Sequence, residues 1–174
     1  NHIQEIQKLS GETEAEIHKI MIMGGSRIAI RISSYAPDNM AIKLIECDKQ
    51  KSYKLAEYMN DIIIIQGDGR NVDLLKEEGI RDMDAFIALT DSSETNILAC
   101  LTAKELGVKK TIAEVENIQF ISTAERLNIG NIINKKLLAA SRIFQLLLDE
   151  DSSNAKCLAL SDAEVVELVA KENS

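Results

Sequence analysis

Met21-Ile22-Met23-Gly24-Gly25-Ser26-Arg27-Ile28-Ala29 joins an apolar, strand-like run over 17–23 to a helix-patterned segment over 26–36. A helix that opens off a strand through glycines presents unpaired N–H groups and the positive end of its dipole, which together attract phosphate. The next apolar run, Ala41-Ile42-Lys43-Leu44-Ile45, ends in Glu46, at the spacing where an acidic side chain reaches a ribose diol. This is a dinucleotide-binding turn with departures. Glycine is expected at positions 24, 26 and 29, and the chain has Gly24, Ser26 and Ala29. Gly24 keeps the tight turn, and Ala29 is small enough for helix–strand packing. Ser26 puts a Cβ where backbone would approach a pyrophosphate. Gly25 is expected to relieve part of that crowding, and the Ser26 hydroxyl offers a bond to a phosphate oxygen.

Outward from this turn, apolar runs alternate with amphipathic segments. Strands are expected at 17–23, 41–46, 61–65, 84–89, 110–115 and 131–133, and helices near 26–36, 49–59, 71–78, 92–106, 118–127 and 135–148. Runs such as Ile62-Ile63-Ile64-Ile65 suit a parallel sheet buried on both faces. The alternation predicts an α/β fold, a Rossmann-like doubly wound parallel sheet with flanking helices and right-handed crossovers. Pro37-Asp38-Asn39, Gly67-Asp68-Gly69, Gly79, Gly107 and Gly130 punctuate it, and Asp91-Ser92-Ser93-Glu94 reads as a capping box. Residues 1–16 read as a helix-capable lead-in from an upstream module. Residues 149–154 read as a charged linker, followed by an apolar stretch over 155–170 that fits helix or strand. Opening on Asn1, the chain is expected to be part of a longer polypeptide.

The 174 residues suffice for one α/β domain with a core and a short appendage, and the net charge of −8 argues against nucleic acid or an anionic membrane surface as partner. No run approaches a membrane span, so direct membrane insertion is not expected, and the start does not read as a signal peptide. Cys47, Cys100 and Cys157 are scattered and odd in number, reading as reduced thiols of a cytoplasmic protein.

Ligands of such sheets sit beyond the carboxyl ends of the strands. Those ends carry Gly24-Gly25-Ser26-Arg27, Glu46-Cys47-Asp48, Gly67-Asp68-Gly69-Arg70, Thr90-Asp91 and Glu114-Val115-Glu116-Asn117. They are small, acidic and amide residues, with no nucleophile–base pair or metal-ligand cluster. Arg27, a cation in the first turn of a helix, reads equally as an anion contact or a solvated arginine. Glu46 reads first as the ribose contact, which on its charge alone favours NADH over NADPH, and second as an exposed strand-end carboxylate. Asp68 reads equally as a turn residue or an adenine contact, and Thr90 and Asp91 read first as a helix cap. His2 and His18 read as ordinary.

Taken in order, Lys19 to Ala29, Leu44 to Asp48, Ile65 to Gly69, Asp84 to Asp91, Glu94 to Ala99 and Ile132 to Ala140 resemble the regulator-of-potassium-conductance (RCK, or KTN) domains of the TrkA family of potassium uptake proteins. The resemblance covers about residues 17–148. The segment Asp162 to Ala170 is similar to the first strand of the family's C-terminal module, and the lead-in then reads as the end of a preceding module, which implies the second nucleotide-binding half of a tandem protein. The resemblance implies a gating subunit rather than an enzyme. Such a subunit binds NAD(H), or ATP, ADP or AMP, and assembles as dimers and rings beneath a potassium channel-like membrane protein. It implies phosphate contacts at Gly24 and Arg27, ribose at Glu46, adenine at Asp68, and Thr90, Asp91 and Asn96 near the far end of the ligand, with Gly25, Ser26 and Asp48 also among the cofactor-binding residues. Ser26, Ala29 and Gly69-Arg70 depart from the family pattern and leave three outcomes open: weak nucleotide binding, a preference for a mononucleotide, or a structural role without ligand. It also implies a dimerisation role for helix 135–148, whose Leu137, Leu138, Ile143, Leu146 and Leu147 form an apolar side. Two rival readings are an NAD-dependent oxidoreductase fragment and an S-adenosylmethionine-dependent methyltransferase. Glu46 and Asp68 satisfy the latter equally, but no proline-aromatic methyl-transfer motif follows Thr90-Asp91.

Overall fold

Six parallel strands in the order β3-β2-β1-β4-β5-β6 form the sheet: β1 Lys19–Met23, β2 Ala41–Glu46, β3 Ile63–Gln66, β4 Ala85–Ala88, β5 Lys110–Glu114 and β6 Asn131–Ile133. The computed structural model describes residues 16–147 and the backbone of 156–157 and 164–165. Helices α1 Arg27–Tyr35, α2 Lys49–Tyr58, α3 Val72–Glu77, α4 Ser93–Glu105, α5 Ile118–Arg126 and α6 Lys135–Leu147 alternate with the strands. This is the doubly wound order, whose direction reverses between β1 and β4. Most of the lead-in and the 149–154 linker lie outside the described residues. Within the 155–170 stretch, β7 Lys156–Cys157 and β8 Glu164–Val165 form a short antiparallel pair.

Local chemistry explains where elements start and stop. Ser26 caps α1, its Oγ accepting from the Ala29 N–H at 3.3 Å. The helix stops at Tyr35 because Ala36, preceding Pro37, is extended at φ −65° and ψ 137°. Asp48 and Asn71 cap α2 and α3 in the same way. The expected Asp91–Glu94 capping box gives way to a simple serine cap one residue later, with Thr95 at the third helical position. Ser92 is the cap and accepts from the Thr95 N–H at 3.1 Å, because the Thr90 and Asp91 backbone still belongs to the turn off β4.

Two apolar layers hold the sheet. Met21, Phe86, Ala113, Leu75 and Ile121 pack on one face, and Ile22, Leu44, Ala29, Leu55 and Ile87 on the other. Burying one such large side chain contributes about 1.5–3 kcal/mol. The isoleucine run is parallel as expected, but burial on both faces does not hold: β3 is an edge strand and Ile63 is 57% exposed. An edge strand is flanked on one side only, so part of its side-chain surface stays in water. No helix among the described residues is long and apolar enough to cross a membrane.

Candidate functional site

The carboxyl ends of β1, β2, β3 and β4 surround a cleft of about 350 Å³. Ladder-like bonds between the strand ends shape it: Gly24 N–H to Ile45 O at 2.8 Å, Gly67 N–H to Glu46 O at 3.0 Å, and Leu89 N–H to Met23 O at 2.8 Å. Gly24 turns the chain at φ +96°, and a Cβ there would stand 2.9 Å from Leu89 O. Glycine is therefore required at 24 by both conformation and space.

Six of the ten sequence candidates line the cleft: Gly24, Ser26, Glu46, Asp68, Thr90 and Asp91. Gly25, Arg27, Asp48 and Asn96 do not. Gly25 is buried behind the cleft, where an added Cβ would run into Leu55 and approach Glu46 Oε2 at 3.0 Å. Its role is to deliver an N–H to that oxygen rather than to relieve crowding at Ser26. Arg27 is the first residue of α1 and lines a separate apolar groove with Ile28, Arg31, Ile32 and Tyr35. Asp48 is spent as the α2 cap, accepting from the Lys51 N–H at 2.8 Å. Asn96 is fully buried. Its Oδ1 accepts from Thr90 N–H at 3.0 Å and Thr90 Oγ1 at 2.6 Å, while its Nδ2 donates to Thr90 O and Glu114 O. It positions the β4 turn and ties it to β5.

Glu46 is a buried carboxylate, not an exposed strand end. Oε2 accepts from Gly25 N–H at 2.9 Å and faces Lys51 Nζ at 2.8 Å, and Oε1 accepts from Asp48 N–H at 3.0 Å. Burial pushes its pKa up. The Lys51 ammonium and the two backbone donors outweigh that and hold it below the ordinary value. Cys47 beside it is pushed the other way, by burial and by the neighbouring carboxylate, so it is a poor thiolate source. Across the cleft, Arg70 forks onto Asp68, with Nε to Oδ1 at 3.0 Å and Nη2 to Oδ2 at 2.7 Å. Asp68 also accepts from the Arg70 N–H at 2.9 Å, so its turn role is realised. Arg70 holds the Asp68 carboxyl below the usual range.

Sequence reasoning missed Lys51, Ser92 and Thr95 in the cleft lining. A lysine five positions after the strand-end acid, in the first turn of the following helix, is the signal that could have found the first. It also missed the role of Lys135, which meets Glu114 Oε1 at 2.5 Å and Glu116 at 3.3 Å. Glu114 is buried, and its Oε2 has no hydrogen-bond partner among the described residues. Among the described residues no cluster of His, Cys, Asp and Glu is suited to a metal.

Chemically, the cleft offers a tight backbone turn, a neutralised carboxylate, a carboxylate–guanidinium pair and hydroxyls. These suit a phosphorylated, polyhydroxylated ligand. The TrkA-N domain model matches residues 20–135. The Trk system potassium uptake protein TrkA of Vibrio alginolyticus is 31% identical over 170 residues, covering 98% of this chain and 37% of that protein. The chain thus spans well under half the length of the curated relatives it matches. Two solved structures share the fold. The GsuK RCK domain has a TM-score of 0.66 at 15% identity, covering 76% of this chain and 29% of that one. The GsuK channel bound to NAD has a TM-score of 0.62 at 14% identity, covering 82% and 27%.

Proposed function

The chain belongs to the TrkA-N domain family, and from that premise we propose that it is the nucleotide-binding part of a cytoplasmic gating subunit for a potassium uptake system. Its ligand is NAD(H) or an adenine nucleotide. The observation that carries this reading is the cleft itself, which brings Gly24, Glu46, Asp68 and Thr90 together at the point where the strand order reverses. The reading draws further support from a family relative named as a potassium uptake protein and from a fold neighbour solved with NAD bound.

Binding without turnover fits the cleft lining, which contains no histidine and whose cysteine is held protonated. Ligand binding acts by favouring one arrangement of paired domains over another, so its free energy appears as altered gating of a membrane channel-like partner. The bare side of α6 serves as the pairing element of a homodimer or ring. In the same proposal the chain is the second nucleotide-binding half of a tandem protein, with a C-terminal module beginning after residue 148.

The test is calorimetric titration of the chain with NADH, NAD, ADP, ATP and S-adenosylmethionine. NADH or ADP should saturate it, and Asp68→Ala should weaken that binding by about tenfold. Bound nucleotide should be recovered unchanged after long incubation. Saturation by S-adenosylmethionine alone, or nucleotide consumed at enzyme-like rates, would replace the gating reading with an enzymatic one.

A further inference from the structure

We propose that the ribose end of the cleft accepts a ribose 2′-phosphate as well as a free diol, and that Lys51 is the residue that determines this. The proposal rests on the adenine-nucleotide reading above and adds to it the phosphorylation state of the ligand. A carboxylate has about four lone-pair directions. Those of Glu46 are nearly filled: the Gly25 and Asp48 N–H groups take two, Lys51 Nζ takes another, and the Cys47 thiol approaches Oε1 at 3.5 Å. The two backbone donors cannot leave without unmaking the turn. A diol bound in the usual bidentate manner must therefore push the ammonium aside.

A 2′-phosphate needs no such displacement. Lys51 is half exposed on the cleft side of the pair and carries three N–H donors on a flexible stem. With its ammonium 2.8 Å from the carboxylate, the pair presents little net charge to an incoming anion, and its outer face is the cation. Arg70, forked onto Asp68, brings a guanidinium to the wall of the same cleft. The expectation that Glu46 favours NADH over NADPH takes the carboxylate alone, and this proposal adds the Lys51 ammonium beside it.

NADH and NADPH titrated separately onto the chain by calorimetry decide the matter. Their dissociation constants should agree within about fivefold. Lys51→Ala should weaken NADPH by about tenfold or more while moving NADH by less than about threefold, and Lys51→Arg should restore NADPH. Wild-type NADPH binding more than about fivefold weaker than NADH overturns the proposal, whether or not the alanine variant folds. So does a Lys51→Ala variant that loses both ligands equally. If neither dinucleotide binds, and ADP does not either, the nucleotide reading of the cleft falls and this inference falls with it. NADH binding with NADPH excluded removes this inference alone.

Discussion

Gly25 donates its backbone N–H to Glu46 Oε2 across 2.9 Å, although 21 positions separate them in the chain. That bond fixes the turn after β1 against the end of β2, and Asp48 N–H completes the hold from the other oxygen. The acid that sequence logic reserves for a ligand is thus already part of the frame that shapes the ligand's cleft.

Glu46 should consequently matter to stability without any ligand. Glu46→Ala strands a buried N–H at Gly25 and is expected to cost about 1–3 kcal/mol in urea unfolding at neutral pH. The pH dependence follows from its lowered pKa. The contribution is fully present above the ordinary carboxyl value of 4.5 and is lost as pH falls from there through the lower folded value. Wild type should therefore lose urea resistance more steeply below about pH 4.5 than Glu46→Gln, which has no charge to lose. Superimposable acid profiles for the two would contradict this.

Asn96 makes a sharper test, because its amide uses both ends. Asn96→Ala leaves Thr90 and Glu114 backbone groups unpaired and should cost on the order of 2 kcal/mol or more. Asn96→Asp preserves the shape but sets a buried charge against two carbonyl oxygens, and should destabilise at least as much at pH 7. Guanidinium unfolding of both variants measures it. An aspartate variant as stable as wild type would show that the amide nitrogen is not needed.

Assembly is the third expectation. Ile143 and Leu146 on α6 are 59% and 70% exposed. Wild type should scatter light as a dimer at roughly tens of micromolar, and Ile143→Glu should halve the mass while leaving the melting curve nearly unmoved. A wild-type monomer, or a glutamate variant still dimeric, would move the interface elsewhere.

The architecture was legible because parallel strands and amphipathic helices differ in period, and each boundary carried its own chemistry, as at Ser26 and Pro37. Every expected strand and helix from β1 to α6 is present, with ends shifted by one or two residues. The cleft was legible only in outline. Strand ends can be listed from sequence, but the direction of a side chain leaving a turn cannot, which is why Arg27 faces an outer groove and Asn96 the core. Lys51 looked like any solvated helix lysine, since its partner is set by where β2 ends. Asp68 showed its turn role, but its fork with Arg70 depends on a rotamer that spacing does not encode.

The ties at the root of α6 have a mechanical consequence. Asn134 donates to Val115 O and Glu116 O, and Lys135 locks the first turn onto Glu114. Asn96 links that same strand end back to the cleft turn at Thr90. Beyond this footing the 13-residue helix runs on for about 20 Å with several exposed apolar side chains. Held at its first turn and exposing Ile143, Leu146 and Leu147 further along, it has the geometry of a lever. A tilt of a few degrees at the β5 footing, too small to disturb the core, moves Leu147 by an ångström or more, roughly the radius times the angle for a rod of that length. In the assembly proposed above, a ligand in the cleft thus need not reach the neighbouring subunit to be felt there.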